Sequence, residues 1–302
     1  MSYIYYPGCS LKGTGRAYEE SLLSVFEALQ IKVEELDDWN CCGATSYMSV
    51  SELKAFALCA RNFALAERQA KDTGMTDLVV PCAACYLGLN KAKRYLDEYP
   101  DIRQKIDEAL ATADLAYNDH IRIRHPLDVL VNDFGPDNLA AKVTRPMKGL
   151  KVACYYGCQI VRPYADFDDQ ENPQSMNILV RALGAETVDW PLKTRCCGGS
   201  LTGTVQEVGQ RLSYVLLSEA ARRGADVIVT ACPLCQFNLE CYQKEMSRRF
   251  GTPVNIPVLY FTQLMGIALG VSGQRLAMKR LFVPFTVKAG QFESAGGQHV
   301  GN

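Results

Sequence analysis

Residues 3–9 read YIYYPGC, and residues 151–158 read KVACYYGC. Each stretch is a short apolar run that ends at a Gly-Cys pair. Short apolar runs bounded by glycine are typical of buried strands that lead into a turn. In both places the sequence therefore predicts a strand with a cysteine, Cys9 or Cys158, just beyond its carboxyl end.

The other cysteines repeat in the same way. A Cys-Cys-Gly tripeptide begins at Cys41 and again at Cys196, and a Cys-x-x-Cys pair begins at Cys82 and again at Cys232. Corresponding cysteines are about 150 residues apart, which is half of the 302-residue chain and far longer than the period of a solenoid repeat. So many matches at one offset indicate an internal duplication.

Short buried strands alternate with amphipathic helical stretches in each half, which predicts βαβ units and a parallel sheet. The helical faces include the apolar residues at 18–29, 56–66 and 212–220. We therefore predict an α/β fold with two pseudo-symmetric Rossmann-like domains and mainly parallel sheets. The expected strands lie at residues 4–6, 32–36, 77–80, 151–155, 186–189 and 226–230.

The duplication also predicts the domain boundaries. Residues 1–149 form a first cysteine-rich domain, residues 150–285 form a second, and residues 286–302 form a flexible tail. In parallel sheets, functional groups gather beyond the carboxyl ends of the strands. We expect the repeated cysteines to meet there.

Composition excludes several classes of protein. Lys and Arg total 32 against 33 Asp and Glu, which is not the basic excess of a nucleic-acid-binding protein. The apolar stretches are shorter than the ~18 residues of a transmembrane helix. The first residues resemble no secretory signal. Thirteen cysteines in such a chain predict a cytoplasmic protein with metal or redox chemistry.

Each half offers five matched thiols, whereas a tetrahedral zinc or an ordinary cubane cluster takes four. Adjacent cysteines suit a multinuclear centre, in which neighbouring thiolates can reach different metal atoms. A structural or zinc-binding Cys-x-x-Cys is the simpler alternative, and a redox-active dithiol would leave the Cys-Cys-Gly motif without a role. The candidate ligands are Cys9, Cys41, Cys42, Cys82 and Cys85 in the first half, and Cys158, Cys196, Cys197, Cys232 and Cys235 in the second.

The remaining thiols and histidines have simpler interpretations. Cys59 and Cys241 lie on expected helices, where a buried structural thiol is the better interpretation. Cys154 has no counterpart in the first half and stays unassigned. His125 is a candidate proton donor near a sulfur site, although a hydrogen-bonded structural histidine explains it as well. His299 lies in the polar tail.

The doubled pattern resembles the cysteine-rich CCG-domain family, and within it the B-type subunits of heterodisulfide reductases. The segments KVACYYGC (151–158), CCGG (196–199), CPLCQFNL (232–239) and PVLYFTQ (257–263) carry the resemblance. It implies two noncubane [4Fe–4S] clusters, one held by each set of five thiolates. It also implies that a disulfide, the coenzyme M–coenzyme B heterodisulfide or an analogue, is cleaved to two thiols between the clusters.

The resemblance implies partner subunits as well. The chain lacks the compact cysteine run of a ferredoxin, so electrons would come from a small, ferredoxin-like iron–sulfur protein, the C-type subunit of such complexes. A flavin-containing iron–sulfur protein, the A-type subunit, would pass electrons to this small protein. No nucleic acid and no transmembrane segment is expected.

Two other functions fit parts of the pattern. The chain could be an electron-transfer or anchoring iron–sulfur subunit of a succinate, glycolate or lactate dehydrogenase-type complex. It could also be a zinc-binding scaffold, which would leave spare thiols. Complete cysteine sets in both halves favour disulfide reduction, because one site would suffice to relay electrons.

Overall fold

The fold is described by a computed structural model that covers residues 1–44 and 46–286. Most of the predicted tail, together with His299, lies at 287–302, outside the described residues.

Contacts between residues divide the chain into two compact units. The division differs from the sequence repeat at two places, because residues 17–29 and 130–149 of the first half belong to the second unit. The domain boundaries after residues 149 and 285 stay a prediction. The first unit contains Met1–Arg16 and Gln30–Val129, and the second contains Ala17–Leu29 and the chain from Leu130 onward.

In the first half, strands and helices alternate as the sequence predicts. In chain order the elements are β1 (Ser2–Tyr5), α1 (Gly8–Leu11), α2 (Arg16–Ala28), β2 (Lys32–Glu35), α3 (Ser46–Val50), α4 (Glu52–Thr73), β3 (Asp77–Val79), α5 (Ala83–Glu98), α6 (Pro100–Ala111), β4 (Arg122–Arg124), α7 (Pro126–Asp128), a π-helical turn (Val129–Phe134) and α8 (Pro136–Lys142). The strands form one parallel sheet in the order β2-β1-β3-β4.

The second half repeats this arrangement. Its elements are β5 (Lys151–Tyr155), α9 (Ser175–Ala182), β6 (Glu186–Thr187), α10 (Leu201–Thr204), α11 (Gln206–Arg222), β7 (Val227–Thr230), α12 (Pro233–Cys241), α13 (Gln243–Phe250), β8 (Val258–Tyr260), α14 (Phe261–Ala268) and a 3₁₀ turn (Met278–Arg280). The sheet is again parallel, in the equivalent order β6-β5-β7-β8.

The central strands are the buried ones. Ile4 and Val79 in the first sheet and Val152 and Ile228 in the second have no exposed surface. Near-continuous apolar strands covered by helices are characteristic of parallel sheets. A single strand order in both halves confirms the predicted α/β fold and its duplication.

Two expectations about the elements were incomplete. The strands β4 and β8, at the edges of the two sheets, were not predicted, because each is a three-residue run without a cysteine beside it. Leu212 and Val215 are predicted on one apolar face of a helix with Leu216 and Ala220, and such a face is normally buried. Both are substantially exposed on α11, whereas Leu216 is buried.

Helix α2 packs within the second unit. Its predicted apolar face is fully buried, and the Tyr18 ring stacks on Tyr260 with 4.6 Å between centroids. The Ser21 hydroxyl lies 2.7 Å from the Thr262 hydroxyl in α14, and it also donates to the Ala17 carbonyl. This polar pair links α2 to α14 beside the aromatic stack.

We expect Ser21→Ala to lower the free energy of unfolding by about 1–3 kcal/mol, because the buried Thr262 hydroxyl loses its partner. Thr262→Val should have a similar effect. The double variant should lose less than the sum of the two, since it removes both polar groups together. Urea unfolding of the three variants measures this, and strictly additive losses would show that the hydroxyls do not interact.

Within residues 1–44 and 46–286, the helices are all too short or too polar to cross a membrane.

Candidate metal centres

Three parts of the first half meet beyond the carboxyl ends of β1 and β3. Cys9 lies in α1 directly after β1, Cys41 and Cys42 lie in the loop after β2, and Cys82 and Cys85 begin α5 after β3. The Sγ atoms of Cys9 and Cys41 are 3.6 Å apart, and those of Cys42 and Cys85 are 3.2 Å apart. Hydrogen bonds between Cys41 and Cys42 and between Cys82 and Cys85 complete the series. All five predicted thiols are therefore in one cluster.

This first thiol cluster is open on one side. Cys9 and Cys41 are exposed, whereas Cys42, Cys82 and Cys85 are buried. A group bound by the five sulfur atoms would be enclosed by protein on the side of the buried thiols. It would be accessible from the side of the two exposed ones.

The electrostatics of the first cluster favour a thiolate at Cys41. Hydrogen bonds from the thiols of Cys42 and Cys9 lower the pKa of Cys41 to about 2. The hydrogen bond with Cys41 in turn raises the pKa of Cys9 well above its usual range. The Cys85 thiol, helped by backbone N–H groups at the start of α5, lowers the pKa of Cys82 to about 7. Thiolates are the form in which cysteine binds metals.

The second half builds the same cluster. Cys158 follows β5, Cys196 and Cys197 follow β6, and Cys232 and Cys235 begin α12 after β7. Hydrogen bonds connect Cys158 with Cys196, Cys196 with Cys197, Cys197 with Cys235, and Cys235 with Cys232. Hydrogen bonds from Cys158 and Cys197 lower the pKa of Cys196 to about 2, so the thiolate occupies the position equivalent to Cys41.

Backbone N–H groups point at the paired cysteines. The amides of Gly43 and Ala44 lie 3.5 and 3.4 Å from the Sγ atoms of Cys41 and Cys42, and the amide of Gly198 lies 3.4 Å from that of Cys196. Such donors stabilise negative sulfur. The turn needs positive φ angles, +72° at Gly43 and +103° at Gly198, which glycine adopts at little cost.

The glycine before the first cysteine of each set lies so close to another thiol of the set that a larger residue would collide with it. A Cβ added at Gly8 would lie 2.9 Å from the Sγ of Cys85, and one at Gly157 would lie 3.0 Å from the Sγ of Cys235. Both glycines also have positive φ angles, near +67° and +69°. These positions therefore bring the backbone against the thiol cluster.

A tyrosine ties the end of the central strand to the Cys-Cys-Gly loop in each half. The Tyr6 hydroxyl donates to the Asn40 carbonyl at 2.8 Å, and the Tyr155 hydroxyl donates to the Arg195 carbonyl at 2.6 Å. Both acceptors directly precede the cysteine pairs. Their role in holding the loop depends on contacts between distant residues, which cysteine spacing does not reveal.

The other thiols lie apart from the predicted ligand sets. Cys59 is fully buried and donates to the Cys42 carbonyl at 3.2 Å, so it supports the loop through the backbone. Cys154 is buried in β5, where burial raises its pKa to about 12. Cys241 is half-buried near the end of α12, and burial raises its pKa to about 12 as well.

His125 is fully buried at the N-terminus of α7. Its Nδ1 accepts from the Leu127 amide at 3.1 Å, and its Nε2 donates to the Pro81 carbonyl at 3.0 Å. Burial lowers the pKa of the imidazole to about 3, so the ring is neutral at pH 7. It fixes the turn just before Cys82, and the role of proton donor stays a prediction.

The thiols of each cluster are hydrogen-bonded to one another. In this arrangement the described part of the chain contains no group of three or more His, Cys, Asp or Glu side chains placed to hold a metal ion. The donor sets nevertheless fit an iron–sulfur cluster. Each supplies five soft sulfur ligands in contact, backbone N–H groups directed at sulfur, and glycines where a side chain would intrude.

Comparisons with known proteins agree with the repeated site. The CCG family, described as a cysteine-rich domain, matches residues 3–90 and 152–240. The chain is 31% identical over 286 residues to the 8-methylmenaquinol:fumarate reductase membrane anchor subunit of Wolinella succinogenes, covering 94% of this chain and 98% of that protein. It is 32% identical over 279 residues to the B-type subunit of the ferredoxin:CoB-CoM heterodisulfide reductase of Methanosarcina mazei, covering 90% and 91%.

A solved structure has the same fold. The crystal structure of a hypothetical protein from Helicobacter pylori matches 94% of this chain with a TM-score of 0.76 and 18% identity. The match covers 52% of that chain, so this protein spans about half of its length.

Proposed function

The chain belongs to the cysteine-rich CCG-domain family, and we propose that it is the iron–sulfur subunit of an oxidoreductase complex that reduces a disulfide to two thiols. The observation that carries the proposal is the presence of a complete cluster of five thiols in each half. Two equivalent sites suit a substrate with two equivalent reacting atoms, the two sulfurs of a disulfide. A relay of electrons would need one.

Each thiol cluster is proposed to hold one noncubane [4Fe–4S] cluster. When bound, it would supply iron that accepts sulfur as a soft ligand and exchanges electrons one at a time. The ligands are Cys9, Cys41, Cys42, Cys82 and Cys85 in the first half, and Cys158, Cys196, Cys197, Cys232 and Cys235 in the second.

The protein's own residues explain how such a site would be approached. Cys9 and Cys41 are exposed, as is Cys196 in the second half, while the Cys-x-x-Cys pairs at the starts of α5 and α12 are buried. A disulfide would therefore reach each site from the side of the exposed thiols. The loop amides that point at Cys41 and Cys196 stabilise negative charge on sulfur at this open side.

The overall reaction adds two electrons and two protons to the disulfide, breaks its S–S bond and releases two thiols. We propose that the electrons come from a ferredoxin-like iron–sulfur partner, with a flavin-containing partner before it. The free thiols suit the reducing cytoplasm, which we propose as the location.

The relative from Wolinella succinogenes supports a second candidate. Its name describes a membrane anchor subunit of a quinol:fumarate reductase, and it aligns with 94% of this chain. In that case the same thiol clusters would hold groups that relay electrons, with no S–S bond made or broken.

The two candidates, and a zinc scaffold, are separated by one anaerobic preparation of the full chain. We expect about eight iron and eight sulfide per chain. We also expect a new EPR signal when coenzyme M or coenzyme B thiol is added to the oxidised protein, and thiol release from their heterodisulfide with reduced viologen as donor. The same iron content without any response to thiols or the heterodisulfide would favour electron relay. About one or two zinc ions without sulfide would overturn both.

A further inference from the structure

The two thiol clusters differ at the third residue after the last cysteine of each set. In the first half this residue is Gly88 and in the second it is Asn238, both on the helix that carries that cysteine. The side-chain amide of Asn238 donates to the Sγ of Cys197 at 3.4 Å and to the Gly199 carbonyl at 2.9 Å. Gly88 has no side chain that could do either.

The orientation of the Asn238 amide follows from its surroundings. Its NH₂ group must face the Gly199 carbonyl, because an oxygen placed there would meet a second acceptor. Asn238 is only 1% exposed, and its Oδ1 is buried without a hydrogen-bond partner among the described residues. A buried, half-satisfied amide costs stability. The N–H contact with Cys197 sulfur gives this position a function that offsets the cost.

Other contacts to the equivalent thiols are alike in the two halves. The Sγ of Cys42 receives the backbone N–H of Ala44 at 3.4 Å, and that of Cys197 receives the backbone N–H of Gly199. A side chain at this position of the first half would be crowded, since a Cβ at Gly88 would lie 3.1 Å from the Cβ of Ala44. Within residues 1–44 and 46–286, Asn238 therefore has no equivalent side-chain amide donor at the first thiol cluster.

We propose that Asn238 is a positioning residue that makes the iron–sulfur group held by the second thiol cluster the more easily reduced of the two. The inference rests on the proposed function, because it needs a group bound at each cluster. Reduction adds one electron, breaks no bond and increases the negative charge on the sulfur ligands. An N–H donor directed at Cys197 stabilises that charge and raises the reduction potential. The two sites are then unequal, and an electron entering the chain resides preferentially on the second.

The test is a redox titration of the iron-loaded protein, with dithionite as reductant and EPR and visible absorption as readouts. Asn238→Leu keeps most of the volume and removes the donor. We expect the step at the higher potential, which the inference assigns to the second cluster, to become harder by roughly tenfold in its equilibrium constant, or about 59 mV for one electron. The potential of the other reduction step should not change. Asn238→Asp, which keeps the shape without the N–H donors, should shift the same step in the same direction.

The matched control is Ser213→Ala. The Ser213 hydroxyl donates to the Cys197 carbonyl at 2.7 Å and supports the same loop without touching the sulfur. Its removal should leave both steps unchanged. Equal shifts in Ser213→Ala and Asn238→Leu, or no shift in either Asn238 variant at full iron content, would overturn the inference. A wild-type chain that binds no iron and sulfide would instead overturn the proposed function on which it rests.

Discussion

Replacing Cys42 or Cys197 by serine should remove about half of the iron and sulfide from the chain. Each thiol lies in the middle of its cluster, between the neighbouring cysteine and Cys85 of α5 or Cys235 of α12. Serine has nearly the same shape, but its hydroxyl stays protonated and binds iron poorly. Because both residues are buried, no exposed thiol can replace them without moving the loop.

Heterodisulfide reduction should fall to background in both variants, since each leaves only one complete site. The controls are buried or half-buried cysteines outside the sets, Cys59→Ser in the first half and Cys241→Ser in the second. Both should keep the full iron content. If iron, sulfide and EPR spectra were unchanged in Cys42→Ser and Cys197→Ser, the assignment of five ligands per site would be wrong.

The second large effect is expected from Gly157→Ala and, equivalently, Gly8→Ala. The new methyl group would lie 2.9 Å from the Sγ of Cys85, closer than real Cβ contacts come, or 3.0 Å from that of Cys235, tighter than nine in ten of them. The backbone has a left-handed conformation that costs alanine roughly 1–2 kcal/mol, and relief of the overlap requires the helix-borne thiol to move. We expect each variant to lose most of the iron from the altered half.

Two other glycines separate the steric overlap from the backbone cost. Gly224 in the second half and Gly74 in the first have φ angles of +76° and +71°, with nothing within 4 Å of an added Cβ. Gly224→Ala and Gly74→Ala should therefore lower only the free energy of unfolding, by roughly 1–2 kcal/mol, and leave the iron content unchanged. Iron analysis combined with denaturant unfolding makes the comparison. Full iron content in Gly157→Ala would mean that this glycine serves only the turn.

Much of the fold could be predicted because the duplication doubles every signal. The strands before Cys9 and Cys158 support each other's prediction because their sequences match, and the same holds for the strands before Cys82 and Cys232. The edge strands β4 and β8 lack such markers and gain their strand conformation only by pairing with β3 and β7. A three-residue run carries too little periodicity to be recognised alone.

The candidate site was predictable in its sulfur atoms and not in what surrounds them. Cysteine spacing identified thiols that the structure does bring into contact. It could not reveal that Tyr6 and Tyr155 hold the cysteine loops by backbone carbonyls. Nor could it show that Asn238 reaches a thiol, because that contact depends on how closely α12 approaches the loop at Gly199.

The packing of α2 affects whether the two halves could be separated. Residues 17–29 belong to the first repeat in the sequence, but in the structure they lie in the second unit, where Tyr18 and Phe26 are buried. A gene fragment cut at the repeat boundary would separate this helix from Tyr260 and Thr262. Separate production of the two halves would therefore leave the apolar face of α2, and the surface around Tyr260 on which it packs, uncovered.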